Sequence, residues 1–374
     1  MTKFAKISLV AAVAVAGLTT ANAQPLEQAI KNVDVSGMMR YRLDTNENIN
    51  NAAIPAPGTD VKNSQTNNYR LDVVAKSKVN DAVTANVTFG IGTTNDDGKG
   101  VNTYDDGGDE AANVLVRDAN FAVALPFATV ITGKQSIPGP FVDNTVDDVA
   151  RGTGAVALVP VGGLTLAAGY FNNNNLASPA NVYDAYELAV IGSLAGINAD
   201  IWYLNVDRAN KKAYSVHANT SLAGVMLDGR YTNTDNGQAG DNATLAKLIA
   251  STKVAGIDVA AGYITTGKNN SAGNLSLDGD ADAQVDARVW QARMANLNDA
   301  KGALISLGTQ VVDNVNAKVT YINVNAAAGL DASELLFDAS YKMSNNFVVS
   351  GKYSTYEVNS VDNVATRIEV KYTF

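Results

Sequence analysis

The chain has 374 residues, a formal net charge of −9, no cysteine and a single histidine, His217. An acidic chain without clustered Lys and Arg repels nucleic acid. The absence of cysteine excludes a disulfide framework and a thiolate metal site, and one histidine leaves little room for histidine-based metal or general-base chemistry.

The first residues predict a secretory signal peptide. Lys3 and Lys6 precede an apolar run at 7–18, and Ala21-Asn22-Ala23 supplies the small residues that a signal peptidase requires. The run is too short to cross about 30 Å of hydrocarbon as a helix, which argues against a membrane anchor. We expect cleavage after residue 23. No Pro-rich or Ser-rich linker follows, so residues 24–374 are expected to form one domain.

Apolar and polar residues alternate with a period of two through the rest of the chain. In the first predicted strand, Val35 and Tyr41 share one face while Arg40 and Arg42 share the other, and residues 364–374 repeat the pattern. Such alternation puts one face against an apolar phase and the other against water. The polar face carries many charges, whereas the apolar face has few large side chains apart from aromatic residues near the strand ends. The pattern therefore indicates a transmembrane β-barrel rather than a soluble sandwich.

Short turns and long polar loops alternate along the chain, as in barrels of the bacterial outer membrane. A direct count gives an odd number of strands, because residues 285–296 can be read as one. A strand there would run in the same direction as the strand at 302–312, so the two cannot be sequential neighbours. We therefore predict eighteen strands and place 285–296 in a long loop, where the spacing of its apolar residues favours a short helix. At that strand number the bore is expected to be an aqueous channel rather than a core filled by side chains.

Three segments resemble the major outer membrane porins of Campylobacter and related bacteria. They are 25–37 followed by Arg40-Tyr41-Arg42, the stretch from Ile131-Thr132-Gly133-Lys134-Gln135 to the hairpin at 163–168, and the ending Lys371-Tyr372-Thr373-Phe374. The resemblance implies an all-β, transmembrane antiparallel β-barrel of eighteen strands in the outer membrane of a Gram-negative bacterium. It also implies a homotrimer and a third loop that folds into the bore. This chain departs from the family by carrying Pro138-Gly139-Pro140 at the start of that loop.

The alternation and the resemblance together predict a constriction with opposite charges on its two sides. The candidates on the wall are Arg40, Arg42, Arg70 and Lys134, with Arg117 as a further candidate whose direction the alternation does not fix. The candidates in the inward loop are Asp143, Asp147 and Asp148. A positive wall facing a negative loop gives a transverse field that orients dipolar solutes and orders water. The alternative is that these charges are merely solvated.

Two further hypotheses concern a calcium site and a catalytic histidine. Asp143, Asn144, Asp147 and Asp148 offer the several oxygen ligands that a calcium ion requires, although an acidic loop is also simply a solvated one; no cofactor is required. His217 invites comparison with a catalytic histidine, but alternation places it inside the bore, and the chain lacks a cysteine nucleophile and a G-x-S-x-G motif. We do not expect an enzyme.

These features predict a water-filled channel in outer-membrane lipid for passive diffusion of ions and small hydrophilic solutes. The acidic loops favour a mild cation preference, whereas the strand walls carry more Lys and Arg than acid. One alternative is a surface-exposed structural or adhesive barrel, which would carry an added domain. Another is a substrate-specific channel, which would favour a plugged bore.

Overall fold

The computed structural model describes residues 33–48, 64–92, 113–142, 150–174, 184–207, 211–235, 242–270, 275, 283–285, 287–295, 297–327, 331–358 and 360–374. The predicted signal peptide and the acidic residues Asp143, Asn144, Asp147 and Asp148 lie outside these ranges. Within them, no helix is both long and apolar enough to cross a membrane.

Eighteen antiparallel strands form one closed sheet in which each strand pairs with its neighbours in sequence and β1 pairs with β18. The strands are β1 Val33–Asn48, β2 Ser64–Lys78, β3 Val83–Gly92, β4 Asn113–Leu125, β5 Ala128–Ser136, β6 Arg151–Val161, β7 Leu164–Asn174, β8 Ala185–Leu194, β9 Ile197–Val206, β10 Lys211–Leu222, β11 Val225–Asp235, β12 Asn242–Val254, β13 Ile257–Thr266, β14 Lys301–Val312, β15 Val315–Asn325, β16 Ala332–Lys342, β17 Phe347–Val358 and β18 Val361–Thr373. The predicted fold class and strand number are confirmed.

The two faces of the sheet differ as the alternation predicts. On β10, Tyr214 and Val216 are exposed on the outside, whereas Ser215 between them is fully buried on the inside. On β2, Arg70 and Asp72 are buried on the inner face. The outer face is therefore apolar and the inner face carries the charges, which is the arrangement of a membrane-spanning barrel.

Several connections at one rim of the barrel are tight two-residue turns. Ala195, Ala223 and Ala255 have φ between 49° and 51°, and the glycine that follows each has φ between 80° and 85°. Two successive residues with positive φ match the right-handed twist of the flanking strands, and this is why such turns join hairpins. The predicted alternation of short turns with longer connections is confirmed along the described strands.

The barrel closes at the chain terminus against β1. The backbone of Gly37 exchanges two hydrogen bonds with Phe374, at 2.8 Å and 3.1 Å. A Cβ at Gly37 would lie 2.5 Å from Cζ of the Phe374 ring, so the ring occupies space that only glycine leaves open. The terminal aromatic residue is thus fitted into the seam between the first and last strands.

Residues 285–296 lie in the connection between β13 and β14, as predicted, but the expected short helix is wrong. Arg288 and Arg293 form an antiparallel bridge, and the amide of Met294 donates to the carbonyl of Ala287 at 2.8 Å. The described part of this segment is a tight hairpin. The spacing of a few apolar residues favours a helix only weakly. Hydrogen bonds between the hairpin tip and the barrel wall stabilise the hairpin instead.

Candidate constriction of the bore

The connection between β5 and β6 lies against the inner face of the barrel in its described part. Ile137, Phe141 and Val142 have no exposed surface. A Cβ on Gly139 would lie 3.0 Å from Cε3 of Trp202 on β9 and 3.5 Å from Oε1 of Glu187 on β8. The glycine between the two prolines therefore allows close contact between this connection and the wall.

Described residues of the connection between β13 and β14 lie inside the barrel and contact the described part of the β5–β6 connection. The amide of Val285 donates to the carbonyl of Pro140 at 3.1 Å. Leu275, Val285 and Met294 are fully buried and belong to one apolar cluster with inner-wall residues, among them Leu245. Part of the bore is thus a side-chain core. On this side, side chains fill the interior next to the predicted channel, because wall positions that a solvated bore would make polar are apolar.

Glu334 on β16 anchors the tip of the hairpin at 288–293. Its Oε2 accepts hydrogen bonds from the amides of Trp290, Gln291 and Ala292 at 2.9–3.0 Å. Its Oε1 accepts one from the hydroxyl of Ser354 at 2.7 Å. The carboxylate is only 1% exposed, and four donors compensate its burial.

The same hairpin tip contacts the charged wall of the last strands. The ring of Trp290 has Lys352 Nζ 5.6 Å and Arg367 Cζ 5.5 Å from its centroid. Cations over an indole face are attracted by its quadrupole, more strongly where water is excluded. Trp290 is 7% exposed, so the hairpin tip is buried against the inner faces of β17 and β18.

Three of the predicted wall residues are brought together by the structure. Arg40 and Arg70 are direct partners across β1 and β2, and Arg117 on β4 completes the group; all three are at most 5% exposed. Asp72 joins two of them, with Oδ2 at 2.9 Å from Nε of Arg70 and Oδ1 at 3.0 Å from a terminal nitrogen of Arg117. We call these four residues the arginine cluster.

The side chain of Arg117 faces the bore because of a β-bulge between β3 and β4, which the sequence alone does not reveal. Thr88 on β3 pairs with Asp118, and Phe89 pairs with Val116, so Arg117 has no partner in the register. A β-bulge of this kind inserts one extra residue and interrupts alternation. Arg117 consequently faces the bore, where strict alternation could not place it.

Arg42 faces the bore one inward position from Arg40 and forms an ion pair with Glu369 on β18 at 2.6 Å. It is therefore part of the same wall, next to the arginine cluster. Its partner is one that sequence analysis did not predict, because the pairing depends on the closure of β1 onto β18.

Lys134 does not join this wall, contrary to the sequence prediction. It pairs directly with Ala119, and the neighbouring pair on that face includes Phe121, which is 52% exposed on the outside. Its ammonium donates to the carbonyl of Val116 at 2.7 Å. The inward position is taken by Gly133, whose Cβ, if present, would lie 3.1 Å from that of Asn120.

The acidic side of the predicted constriction, Asp143, Asp147 and Asp148, lies outside the described residues, as does Asn144 of the suggested calcium site. Among the described residues, no group of three or more His, Cys, Asp or Glu side chains could hold a metal ion.

A second charged network, on the far wall, was not predicted. His217 lies between Asp200 and Asp228, while Arg230 contacts Asp200 and donates to Gln284 of the β13–β14 connection at 3.1 Å. Alternation placed His217 inside the bore, and this is confirmed. The partners of His217 could not be predicted, because they depend on the register of three neighbouring strands. Residue spacing along the chain does not give that register.

Comparison with known proteins places the chain in a family. The family model of the Campylobacter major outer membrane protein matches residues 2–374. None of the curated proteins matches. OccK9 (OpdG) of Pseudomonas aeruginosa is a structural neighbour at a TM-score of 0.72 and 14% identity, over 92% of this chain and 99% of that one. OccAB1 of Acinetobacter baumannii follows at 0.69 and 14%, over 95% and 98%. These structural likenesses show the fold, and the family match shows that the chain belongs to the Campylobacter major outer membrane protein family and is an outer-membrane porin.

Proposed function

We propose that this porin is a passive channel for ions and small hydrophilic solutes, whose selectivity is set beside the arginine cluster. The observation that carries the proposal is the placement of three guanidinium groups together: Arg40, Arg70 and Arg117 surround the carboxylate of Asp72 on the inner wall. Adjacent arginine side chains repel one another, so a protein maintains such a group where an electrostatic field is useful.

The field is proposed to run from the arginine cluster and Arg42 towards Asp143, Asp147 and Asp148. The resemblance to Campylobacter porins supports an inward path for the loop that carries these aspartates. The burial of Ile137 and Phe141 at the start of that loop supports the same path. A transverse field in a narrow passage aligns dipolar solutes and orders water, and this selects against large apolar molecules.

A mild cation preference is proposed from the overall charge. The chain has 37 acidic against 28 basic residues, and several acidic residues lie in the loop sequences. Ions entering the channel therefore meet negative potential before they reach the positive wall. Ion transport and this preference are tested together by the reversal potential in a salt gradient.

A calcium ion is proposed to bind Asp143, Asn144, Asp147 and Asp148. Carboxylate and amide oxygens are the ligands that calcium prefers. Isothermal titration of the purified porin with calcium, before and after the change Asp147→Asn, tests the site. Equal heats of calcium binding for the two proteins would contradict the calcium site without affecting the proposed channel.

Assembly and processing complete the proposal. The family resemblance supports a homotrimer, which mass measurement of the detergent-solubilised protein tests. The first residues support a signal peptide cleaved after residue 23, which intact mass spectrometry of the protein from the outer membrane tests. An enzymatic role is not proposed, since the Ser215 hydroxyl is contacted by Arg230 and Thr232 and His217 by two carboxylates.

A substrate-specific channel is the second candidate, and the apolar core inside the bore favours it. The contact between Val285 and Pro140 joins two connections that occupy the interior, and this narrows the passage. Liposome swelling with uncharged sugars of increasing size distinguishes the two functions. A smooth decline of rate with size supports general diffusion, and rapid uptake of one solute class alone supports specificity.

The deciding experiment for the channel is recording in planar bilayers. Purified porin should give stepwise, ion-conducting openings and a reversal potential different from zero in a KCl gradient. Absence of steps would overturn the channel proposal, and a reversal potential of zero would overturn the charge filter.

A further inference from the structure

A cavity lies inside the barrel between the β13–β14 connection and the wall. It is bounded by Ala287, Arg288 and Val289 of the connection and by residues of β12 to β15, among them Ile249 and Leu304. Its volume is about 300 Å³, at the lower end of the range of pockets that hold small organic molecules. We call this space the hairpin cavity. It lies away from the arginine cluster, which is on β1, β2 and β4.

The wall of the hairpin cavity is apolar. Ile249, Ile264, Leu304 and Ile322 line it from four successive strands. Leu304 and Ile249 lean together over Gly262, since a Cβ there would lie 2.9 Å from Cδ2 of the leucine and 3.1 Å from Cγ1 of the isoleucine. The lumen of a water-filled barrel is normally polar, so these side chains form a surface that stabilises an apolar group placed on it.

The charged residues of the hairpin cavity are basic. Among the described residues that line it, those with a charge are Lys247 and Arg288. The ammonium of Lys247 donates to the carbonyl of Gln284 at 2.7 Å, which positions it between the wall and the connection. Arg230 pairs with Lys247 across the strands and donates to the side-chain oxygen of Gln284 at 3.1 Å. Three cations are therefore grouped around one end of the connection.

Asp228 is an acidic residue that the register places beside the hairpin cavity, where it pairs with Ile249. Its carboxylate contacts Nε2 of His217 at 2.9 Å, and it is not among the lining residues. The described surface of the cavity is thus apolar with positive charge beside it. Such a surface attracts an anion rather than a cation.

The hairpin cavity opens towards the short-turn end of the barrel. Ser251 and Ser306 follow Ile249 and Leu304 by two residues on the same inner face, and they line a larger space of about 660 Å³. At the other end the fully buried Met294 closes the cavity, because a Cβ on its neighbour Gly302 would lie 2.8 Å from Cε of the methionine. A solute therefore reaches the hairpin cavity from the larger space.

We propose that the hairpin cavity binds small amphipathic anions. The anionic group lies at Lys247 and Arg288, where charge-assisted hydrogen bonds to an oxyanion are strong and the planar guanidinium fits two of its oxygens. The aliphatic body lies on Ile249 and Leu304. The inference goes beyond the proposed channel, because binding at this site does not require the conduction of ions.

Titration calorimetry with hexanesulfonate tests the site in the purified full-length porin. This probe joins a short alkyl chain to a sulfonate that stays ionised at every working pH, and a blank titration into detergent removes the heat of partition. We expect saturable binding with a dissociation constant of about 1 mM or lower, which is within the efficiency that ligands of this size reach. Absence of saturable binding would overturn the proposal.

Two related compounds separate the parts of the site. Methanesulfonate retains the anion but lacks the alkyl body, and since each buried methylene strengthens binding about four-fold, it should bind at least about a hundred-fold more weakly. Hexanol retains the body but lacks the charge, and it should bind about ten-fold more weakly than hexanesulfonate. Equal affinity for hexanol and hexanesulfonate would overturn the role of the cations.

Lys247→Gln removes the charge and keeps a side chain that can donate to the carbonyl of Gln284. It should weaken the binding of hexanesulfonate about ten-fold. Lys253→Gln is the matched control, because Lys253 lies on the same face of β12 but pairs with Asp258 and does not line the cavity. It should leave the affinity unchanged. Equal affinities in Lys247→Gln and the unaltered porin would contradict the site.

Ala287→Leu places the site by a second route, because it adds bulk to a lining residue and leaves both cations in place. It should also weaken binding about ten-fold or more, since bulk fills the space of the ligand. Unchanged affinity would show that the probe binds elsewhere. Heat-modifiable migration in gels verifies folding, and if Lys247→Gln does not fold, Ala287→Leu and the three compounds decide. A porin that binds hexanesulfonate but shows no stepwise openings would contradict the proposed channel alone.

Discussion

The carboxylate of Glu334 on β16 lies 3.0 Å from the amide nitrogen of Trp290, which is 44 positions earlier in the chain, in the connection between β13 and β14. This contact, with those to the next two amides, holds the tip of the β13–β14 connection against the inner wall of β16 to β18. Glu334 is therefore one of the side chains that determine the shape of the passage.

Removing that anchor should open the passage. Glu334→Ala leaves three buried amides without their acceptor, and we expect the docking of the hairpin to weaken by more than about 3 kcal/mol, since each hydrogen bond to a charged group is worth about 1.5–3 kcal/mol. Single-channel recording should show larger and noisier conductance. Ser354→Ala removes one donor from the same carboxylate and should have a much smaller effect. Equal conductance in Glu334→Ala and the unaltered porin would show that this segment does not limit the passage.

Neutralising the positive wall should shift selectivity towards cations. We expect Arg40→Gln and Arg117→Gln each to raise the cation-to-anion permeability ratio by about two-fold, because each removes one unit charge from the inner wall. Lys134→Gln is the matched control, since Lys134 has the same charge but lies on the outer face. If Lys134→Gln shifted the reversal potential as much as the arginine changes do, the assignment of the selectivity wall would fail.

Asp72 should matter for stability as well as for selectivity. Asp72→Asn leaves Arg70 and Arg117 buried without their shared carboxylate, and breaking a buried ion pair in this way costs about 3–5 kcal/mol. The free energy of unfolding in urea should fall accordingly, and the channel should become more selective for anions. Asp258→Asn is a suitable comparison, because the ion pair of Asp258 with Lys253 is exposed and should contribute little. Similar losses of stability in the two variants would contradict the structural role of Asp72.

The seam at the chain terminus should be sensitive to a single methyl group. Gly37→Ala would bring a Cβ to 2.4 Å from the carbonyl oxygen of Asp72 and 2.5 Å from Cζ of the Phe374 ring, so both the β2 backbone and the ring must move and the terminal strands should close less efficiently. Heat-modifiable migration in gels should show a smaller folded fraction. Gly351→Ala is the control, because a Cβ there meets nothing closer than a backbone oxygen at 3.7 Å. Normal assembly of Gly37→Ala would mean that the ring is not held in this position.

The barrel itself was predictable because alternation is a local property. The inward direction of His217 and Arg70 follows from the period of two along each strand, and the short turn after β8 is indicated by Gly196, which accepts positive φ without the steric cost of a Cβ. The number of strands followed from the alternating direction of successive strands. A strand at 285–296 would run in the same direction as the next one and was therefore excluded.

The interior was less predictable, for identifiable reasons. The bulge beside Arg117 breaks the period, and Gly133 takes the inward position on β5, so Lys134 was assigned to the wrong face. The contact of Glu334 with Trp290 joins distant parts of the chain, and no local pattern encodes it. The registers between neighbouring strands likewise determine which carboxylate side chains contact His217.

The central claim is that this porin conducts ions past a positively charged wall. The most direct test is the reversal potential of single channels in a KCl gradient, compared between the unaltered porin and Arg40→Gln. The account predicts stepwise openings, a reversal potential different from zero, and a shift towards cations in the variant. Stepwise openings with the same reversal potential in both proteins would contradict it.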